Sequence, residues 1–183
     1  LHPQISKDAD IEVIGLGLPA SPGAVSGSIA FKAEEAIQMN SKGISAVLVR
    51  SETSSEDIRG MHASVGVLTL RGGMSSHAAV IARGLGKPCV VGVSDLSMDN
   101  SMKSLLTKEG KTLKTGDVIT IDGSNGRILL GQAQMVQPVF SKHFYQIMGW
   151  ANELGTISVK GNADTPQEAN QAKKFGVDGI GLC

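Results

Sequence analysis

The residue with the strongest claim to chemistry is His77, and that claim rests on its neighbours. Residues 70–80 run Leu70, Arg71, Gly72, Gly73, Met74, Ser75, Ser76, His77, Ala78, Ala79, Val80. An apolar run ends, two glycines turn the chain, and a helix opens with hydroxyls and an imidazole. The first N–H groups of a helix have no intrahelical partner and bind anions, phosphate above all. Gly72 and Gly73 let the backbone approach a ligand closely, and Ala78 and Ala79 leave space beside the ring. The positive end of the helix dipole disfavours imidazolium, so His77 is expected to be neutral and nucleophilic near pH 7. A neutral imidazole attacks phosphorus through one ring nitrogen, and the other needs a partner to fix the tautomer. Ser75 is within reach of that role. These features describe a covalent phosphoryl carrier.

Plainer readings compete with it. A histidine at a helix start is more often a cap or a surface residue, and Gly-Gly before a helix is common. Ser beside His is no hydrolase arrangement, because adjacent residues seldom face each other. His2, His62 and His143 have no metal-ligand spacing with His77. Arg71, Arg83 and Lys87 either neutralise a phosphate or are solvated charges. The turn Asp122, Gly123, Ser124, Asn125, Gly126 needs no role beyond a hairpin.

The elements that would position His77 follow from the apolar pattern. Residues 17–27 are Gly/Pro/Ser-rich and are expected to form an extended loop leading into a strand at 24–31, with Val25, Ile29 and Phe31 on one face. Strands are expected at 45–50, 65–70 and 88–93. Helices are expected at 33–39, from a Thr53–Glu56 capping box through 58 to about 62, and from a Ser75 or Ser76 cap through Arg83. That strand–helix alternation predicts a parallel sheet with crossover helices. Residues 117–122 and 127–130 then read as a hairpin belonging to a second, antiparallel set of strands. A helix over 140–154 leads to a βαβ unit: a strand at 156–161, a helix opened by Thr165, Pro166 and Glu168, and a strand at 177–182.

Composition narrows the class. The 183 residues carry 17 basic and 17 acidic side chains, which argues against a protein built for nucleic acid or an acidic membrane surface. No stretch reaches the ~20 apolar residues of a membrane span. Cys89 and Cys183 show no CxxC spacing, and Cys89 sits in an apolar run as a buried thiol, a usage that fits a reducing compartment such as the cytoplasm. The chain opens without Met and stops in an apolar run, which reads as a segment of something larger.

The stretch Gly72, Gly73, Met74, Ser75, Ser76, His77, Ala78, Ala79, Val80, Ile81, Ala82, Arg83 resembles the phosphohistidine signature of the phosphoenolpyruvate (PEP)-utilising enzymes. Residues 18–23 and 117–123 look like further segments of that family. Met74 after the glycines, Met148-Gly149-Trp150-Ala151, residues 162–166 and residues 175–183 are similar to its pyruvate, phosphate dikinase branch. The resemblance implies an α/β fold: a swivelling β/β/α phosphohistidine domain (parallel sheet, antiparallel sheet, helical layer) at 13–133. It places the end of an N-terminal linker at 1–12, a linker helix at 134–155, and a truncated start of a PEP/pyruvate TIM barrel at 156–183. The linkers are expected to pack loosely. It implies that ATP, phosphate and pyruvate interconvert with AMP, diphosphate and PEP, with His77 shuttling between an ATP-grasp domain and the barrel of the same chain. Gly72, Gly73, Ser75, Ser76 and Arg83 are expected to support the phosphate. Mg2+ is implied at the ATP and PEP sites, outside this segment, and a homodimer through the full barrel. An organelle such as a plastid is an alternative location to the cytoplasm. Dikinases usually carry Thr at the place of Ser75, where plant enzymes are switched off by phosphorylation, and the hydroxyl survives here. Two rivals stand: phosphoenolpyruvate synthase, which uses water in place of phosphate, and a non-catalytic anion-binding module.

Overall fold

The computed structural model describes residues 2–6, 11–99, 103–136, 141–155, 158–174 and 176–181. It divides into two compact units, Leu1–Pro138 and Val139–Cys183. In the first, β1 (Gln4–Ile5), β2 (Val13–Leu16) and β3 (Leu18–Ser21) precede β4 (Ala24–Ala30), α1 (Ala33–Ser41) and β5 (Ala46–Arg50). A 3-10 turn (Ser55–Asp57) enters α2 (Ile58–Ala63), followed by β6 (Gly66–Thr69), α3 (His77–Gly84) and β7 (Cys89–Val91). Then come β8 (Leu96–Met98), β9 (Ser104–Thr107), β10 (Thr112–Lys114), β11 (Val118–Asp122), β12 (Arg127–Leu130) and β13 (Met135–Val136).

Strands β4, β5, β6 and β7 pair in parallel, as the alternation predicts. They form the middle of an eight-stranded sheet ordered β2-β12-β11-β4-β5-β6-β7-β3. The hairpin β11–β12 does not start a separate sheet, as its sequence suggested. It joins this one, because β11 runs antiparallel along β4 from Val118↔Ser28 to Asp122↔Ala24. The separate antiparallel sheet is β10-β9-β8.

Alternation along the strands sorts the two faces by side-chain size. Val47 and Val49 of β5 join Ile29, Phe31, Leu68, Ile119, Ile121 and Ile128 in an aliphatic cluster. Leu96, Leu105 and Leu113 belong to the same cluster, so the small sheet covers this face. Ala46 and Leu48 join Ala30, Val67, Cys89, Val91 and the helix residues Ala36, Met61, Ala78, Ala79 and Ala82. Small residues bring this helical layer close: a Cβ on Gly60 of α2 would lie 2.5 Å from the Ala33 Cα of α1. The result is a sheet, a mixed sheet and a helical layer. Full burial pushes the Cys89 thiol up to about 12, which makes it an inert core residue.

The hairpin is also more than a turn. The buried Asp122 carboxylate accepts from the Ser124 and Asn125 amides, from Asn125 Nδ2 at 2.9 Å, and from Arg127 Nη2 at 2.7 Å. Residues 4–5 and 135–136 pair in a short antiparallel ribbon, Gln4↔Val136 and Ile5↔Met135.

The second unit contains α4 (Lys142–Leu154), β14 (Lys160–Gly161), α5 (Pro166–Lys174) and β15 (Gly179–Ile180). β14 and β15 pair in parallel, and Glu168 accepts from the Asp164 and Thr165 amides while Thr165 Oγ1 accepts from Glu168 N, as the capping pattern predicts. This is a βαβ unit. The outer residues of the expected strands, 156, 157 and 182, lie outside the described residues, as do 137–140, Phe175 and Cys183.

Candidate functional site

Parallel strands carry ligand sites at their carboxyl ends. Here β5 and β6 end side by side, Arg50 opposite Thr69. The chain leaving β6 passes through Gly72 at φ +103°, a conformation that favours glycine, and turns into α3. Ser76 is the N-cap, and its Oγ accepts from Ala79 N at 3.4 Å, which decides between the two candidate caps. His77 is therefore the first helical residue, and its side chain is exposed. The amides of His77 and Ala78 have no partner among the described residues.

The ring nitrogen Nδ1 of His77 lies 3.2 Å from Thr53 Oγ1. Sequence reasoning assigned that role to Ser75 and gave Thr53 to a helix cap. The cap is one residue later: Ser54, whose amide donates to Asp57 at 2.9 Å. Thr53 is left at the carboxyl end of β5, facing the loop that follows β6. The signal was available only through topology, since nothing local marks Thr53. Nε2 of His77 has no partner among the described residues, so it is the ring nitrogen left open to a ligand.

A cleft of about 170 Å³ opens beside the ring, lined by Glu52, Thr53, Thr69, Arg71, Gly72, Ser76, His77 and Ala78. It is large enough for a phosphoryl group and polar on several sides. Arg71 is its cation. Arg83 is elsewhere: its guanidinium donates to Ala20 O at 3.1 Å and Met74 O at 2.8 Å, so it braces the glycine loop against β3. Lys87 also lies away from the cleft. Its Nζ donates to the carbonyls of Met61, His62 and Ser64 at the end of α2, and burial lowers its ammonium below the usual value. Gly73 and Ser75 lie on the loop outside the lining residues, Ser75 exposed. Glu52 is the one carboxylate in the cleft, and no cluster of three or more metal-ligating side chains occurs among the described residues. The residues here do not fit a magnesium site. No helix among the described residues is long and apolar enough to cross a membrane.

Residues 44–126, which include this whole cleft, match the family model for the mobile domain of PEP-utilising enzymes. Over all 183 residues the chain is 52% identical to a pyruvate, phosphate dikinase of Rhizobium meliloti and 49% identical to one of Rickettsia felis, covering 20% and 21% of their lengths. It is 46% identical, over 185 aligned positions, to a chloroplastic pyruvate, phosphate dikinase of Flaveria pringlei, of which it covers 19%. The chain thus spans about a fifth of the length of these curated relatives. The solved N-terminal domain of Enzyme 1-Nitrogen is 21% identical over 57% of this chain and 37% of that one, with a TM-score of 0.36, a likeness too slight to bear on the fold.

Proposed function

We propose, on the premise that this chain belongs to the PEP-utilising enzymes through the mobile domain at residues 44–126, that it carries a phosphoryl group on Nε2 of His77. The observation that carries this reading is the site itself: an exposed imidazole at the first turn of α3, with Nδ1 partnered, Nε2 unpartnered and two unbonded amides beside a small polar cleft.

The chemistry follows from those atoms. Nδ1–H donates to Thr53 Oγ1 and leaves the lone pair on Nε2. That pair attacks phosphorus, and the leaving group departs with the bonding electrons. The ring keeps its Nδ1 proton and becomes cationic, which favours return of the phosphoryl group to an acceptor. The amides of His77 and Ala78 and the guanidinium of Arg71 stabilise the equatorial oxygens. Ser76 and Gly72 act by shaping the helix start, and Arg83 acts through the loop it braces.

In the parent enzyme this domain, at residues 13–133, would swivel between an ATP-grasp domain and a PEP/pyruvate barrel begun by residues 156–183. The ribbon of β1 and β13, at the junction with residues 1–12 and 134–155, is where such a movement would hinge. The overall reaction would be ATP, phosphate and pyruvate to AMP, diphosphate and PEP, with Mg2+ held by the remote sites and dimerisation through the full barrel. Phosphate on Ser75 would set a dianion two residues from His77 and oppose its phosphorylation.

The test is His77→Asn in the parent enzyme. It is expected to stay folded and to lose both ATP/AMP exchange and PEP/pyruvate exchange. Retained exchange in either half would overturn the assignment.

A further inference from the structure

Thr53 orients the imidazole, so something must orient Thr53. It lies in the segment 51–54, which has no secondary structure of its own and is exposed at Glu52 and Ser54. Two anchors flank it. On one side Ser51 O accepts from Arg71 N at 2.9 Å and Arg50 O accepts from Leu70 N at 3.1 Å. On the other, Ser54 N donates to Asp57 Oδ2 at 2.9 Å. Asp57 is only 4% exposed, unusual for the acidic residue of a capping box. Arg50 Nε lies 3.1 Å from Oδ1 and 3.2 Å from Oδ2 of that carboxylate, and Arg50 Nη1 donates to Phe31 O at 3.0 Å. A surface carboxylate would cap a two-turn helix as well. Burying one beside a guanidinium costs desolvation and returns a fixed geometry.

We infer that Arg50 and Asp57 are positioning residues for phosphoryl transfer: through the Ser54 amide they hold the Thr53 hydroxyl on Nδ1 of His77 and so present Nε2. This deepens the carrier reading and rests on it. It adds a pair, the carboxylate buried and the guanidinium half-buried, remote from the reacting atoms, that sets the tautomer of the nucleophile.

The chain's four histidines allow a direct test. Long-range 15N–1H correlation on the labelled 183-residue chain reads the tautomer of each. Phosphoramidate supplies a chemical phosphoryl donor that needs no other domain. In that step the Nε2–P bond forms, the P–N bond of the donor breaks, ammonia leaves with the electron pair, and the ring keeps its Nδ1 proton. Thr53→Val and Asp57→Asn are each expected to shift the His77 tautomer ratio and slow its labelling about fivefold, the worth of one hydrogen bond. Thr53→Ser restores both. His62, five residues after Asp57 in α2, keeps its signals, which separates positioning from damage to the helix. In the Thr53→Val background Asp57→Asn has no further effect on His77. Arg50→Lys, which keeps the charge and loses the fork, gives a smaller shift in the same direction and serves if Asp57→Asn does not fold. An unchanged His77 in folded Asp57→Asn, or equal losses with and without Thr53, overturns the inference. Wild-type chain that takes no phosphate on His77 would instead overturn the carrier reading, with the tautomer results still standing.

Discussion

The two adjacent glycines before α3 make a sharp pair of substitutions, because the structure gives them unequal roles. Gly72 has φ +103°, and a Cβ there would lie 3.0 Å from Ser76 Cβ and 3.2 Å from Ser76 Oγ. Gly73 has ordinary φ, and an added Cβ meets nothing within 4 Å. For Gly72→Ala, positive φ costs an L-residue about 1–2 kcal/mol, and crowding Ser76 adds about 1 kcal/mol. The stiffer unfolded chain returns about 0.5 kcal/mol, leaving a net loss of about 2 kcal/mol. For Gly73→Ala only that last contribution applies, a gain of about 0.5 kcal/mol. The gap corresponds to between about tenfold and a hundredfold in the folding equilibrium. The assay is urea unfolding of both variants with unchanged m. The only Trp, Trp150, belongs to the second unit, so its fluorescence does not report on this one. Far-UV circular dichroism, or amide exchange at Val67 and Leu68 in β6, does. Equal losses, or a larger loss at Gly73, would refute the assignment of strain to Gly72.

Other expectations follow from single residues. Burial alone would raise the Asp122 carboxyl, but hydrogen bonds from Asn125 and Arg127 outweigh it and hold it below the usual carboxylate range. A depressed carboxyl stabilises fully above the unfolded value near ~4 and loses that contribution as pH falls through the lower folded value. Asp122→Asn should therefore cost about 1–3 kcal/mol at neutral pH and flatten the acid limb of a stability–pH curve; an unchanged acid limb would count against this. Lys87→Met, which strips three carbonyls of their ammonium, should cost about 1–3 kcal/mol in urea unfolding with His77 labelling intact. Native Cys89 should resist iodoacetamide at pH 8 and react only on unfolding, read by peptide mapping. In the parent enzyme Ser75→Asp should lose both exchange reactions while Ser75→Ala keeps them.

The parallel core was legible because β5 and β6 carry short continuous apolar runs, residues 46–49 and 66–68, the mark of strands buried on both faces. The helix at His77 was legible because Ser76, Gly72 and Gly86 punctuate it locally. The hairpin β11–β12 was recognisable, but not its sheet, since pairing with β4 joins residues 90 to 98 positions apart, Val118↔Ser28 to Asp122↔Ala24, which its own pattern does not encode. Thr53 fell to the same blindness. Its spacing to Glu56 imitates a capping box that Ser54 and Asp57 form instead, and only the adjacency of β5 and β6 brings its hydroxyl to His77. Arg83 was expected to support the phosphate, and Lys87 stood open between a phosphate cation and a solvated charge, because charge is visible in a sequence and direction is not; both side chains point at backbone carbonyls.

The central claim is a covalent bond between phosphorus and Nε2 of His77. Its most direct measurement is 31P NMR with peptide mapping of the full-length enzyme after mixing with PEP. One acid-labile, base-stable phosphate on His77, absent from His77→Asn, is the predicted result. Phosphate on another residue, or undiminished in His77→Asn, would contradict the account.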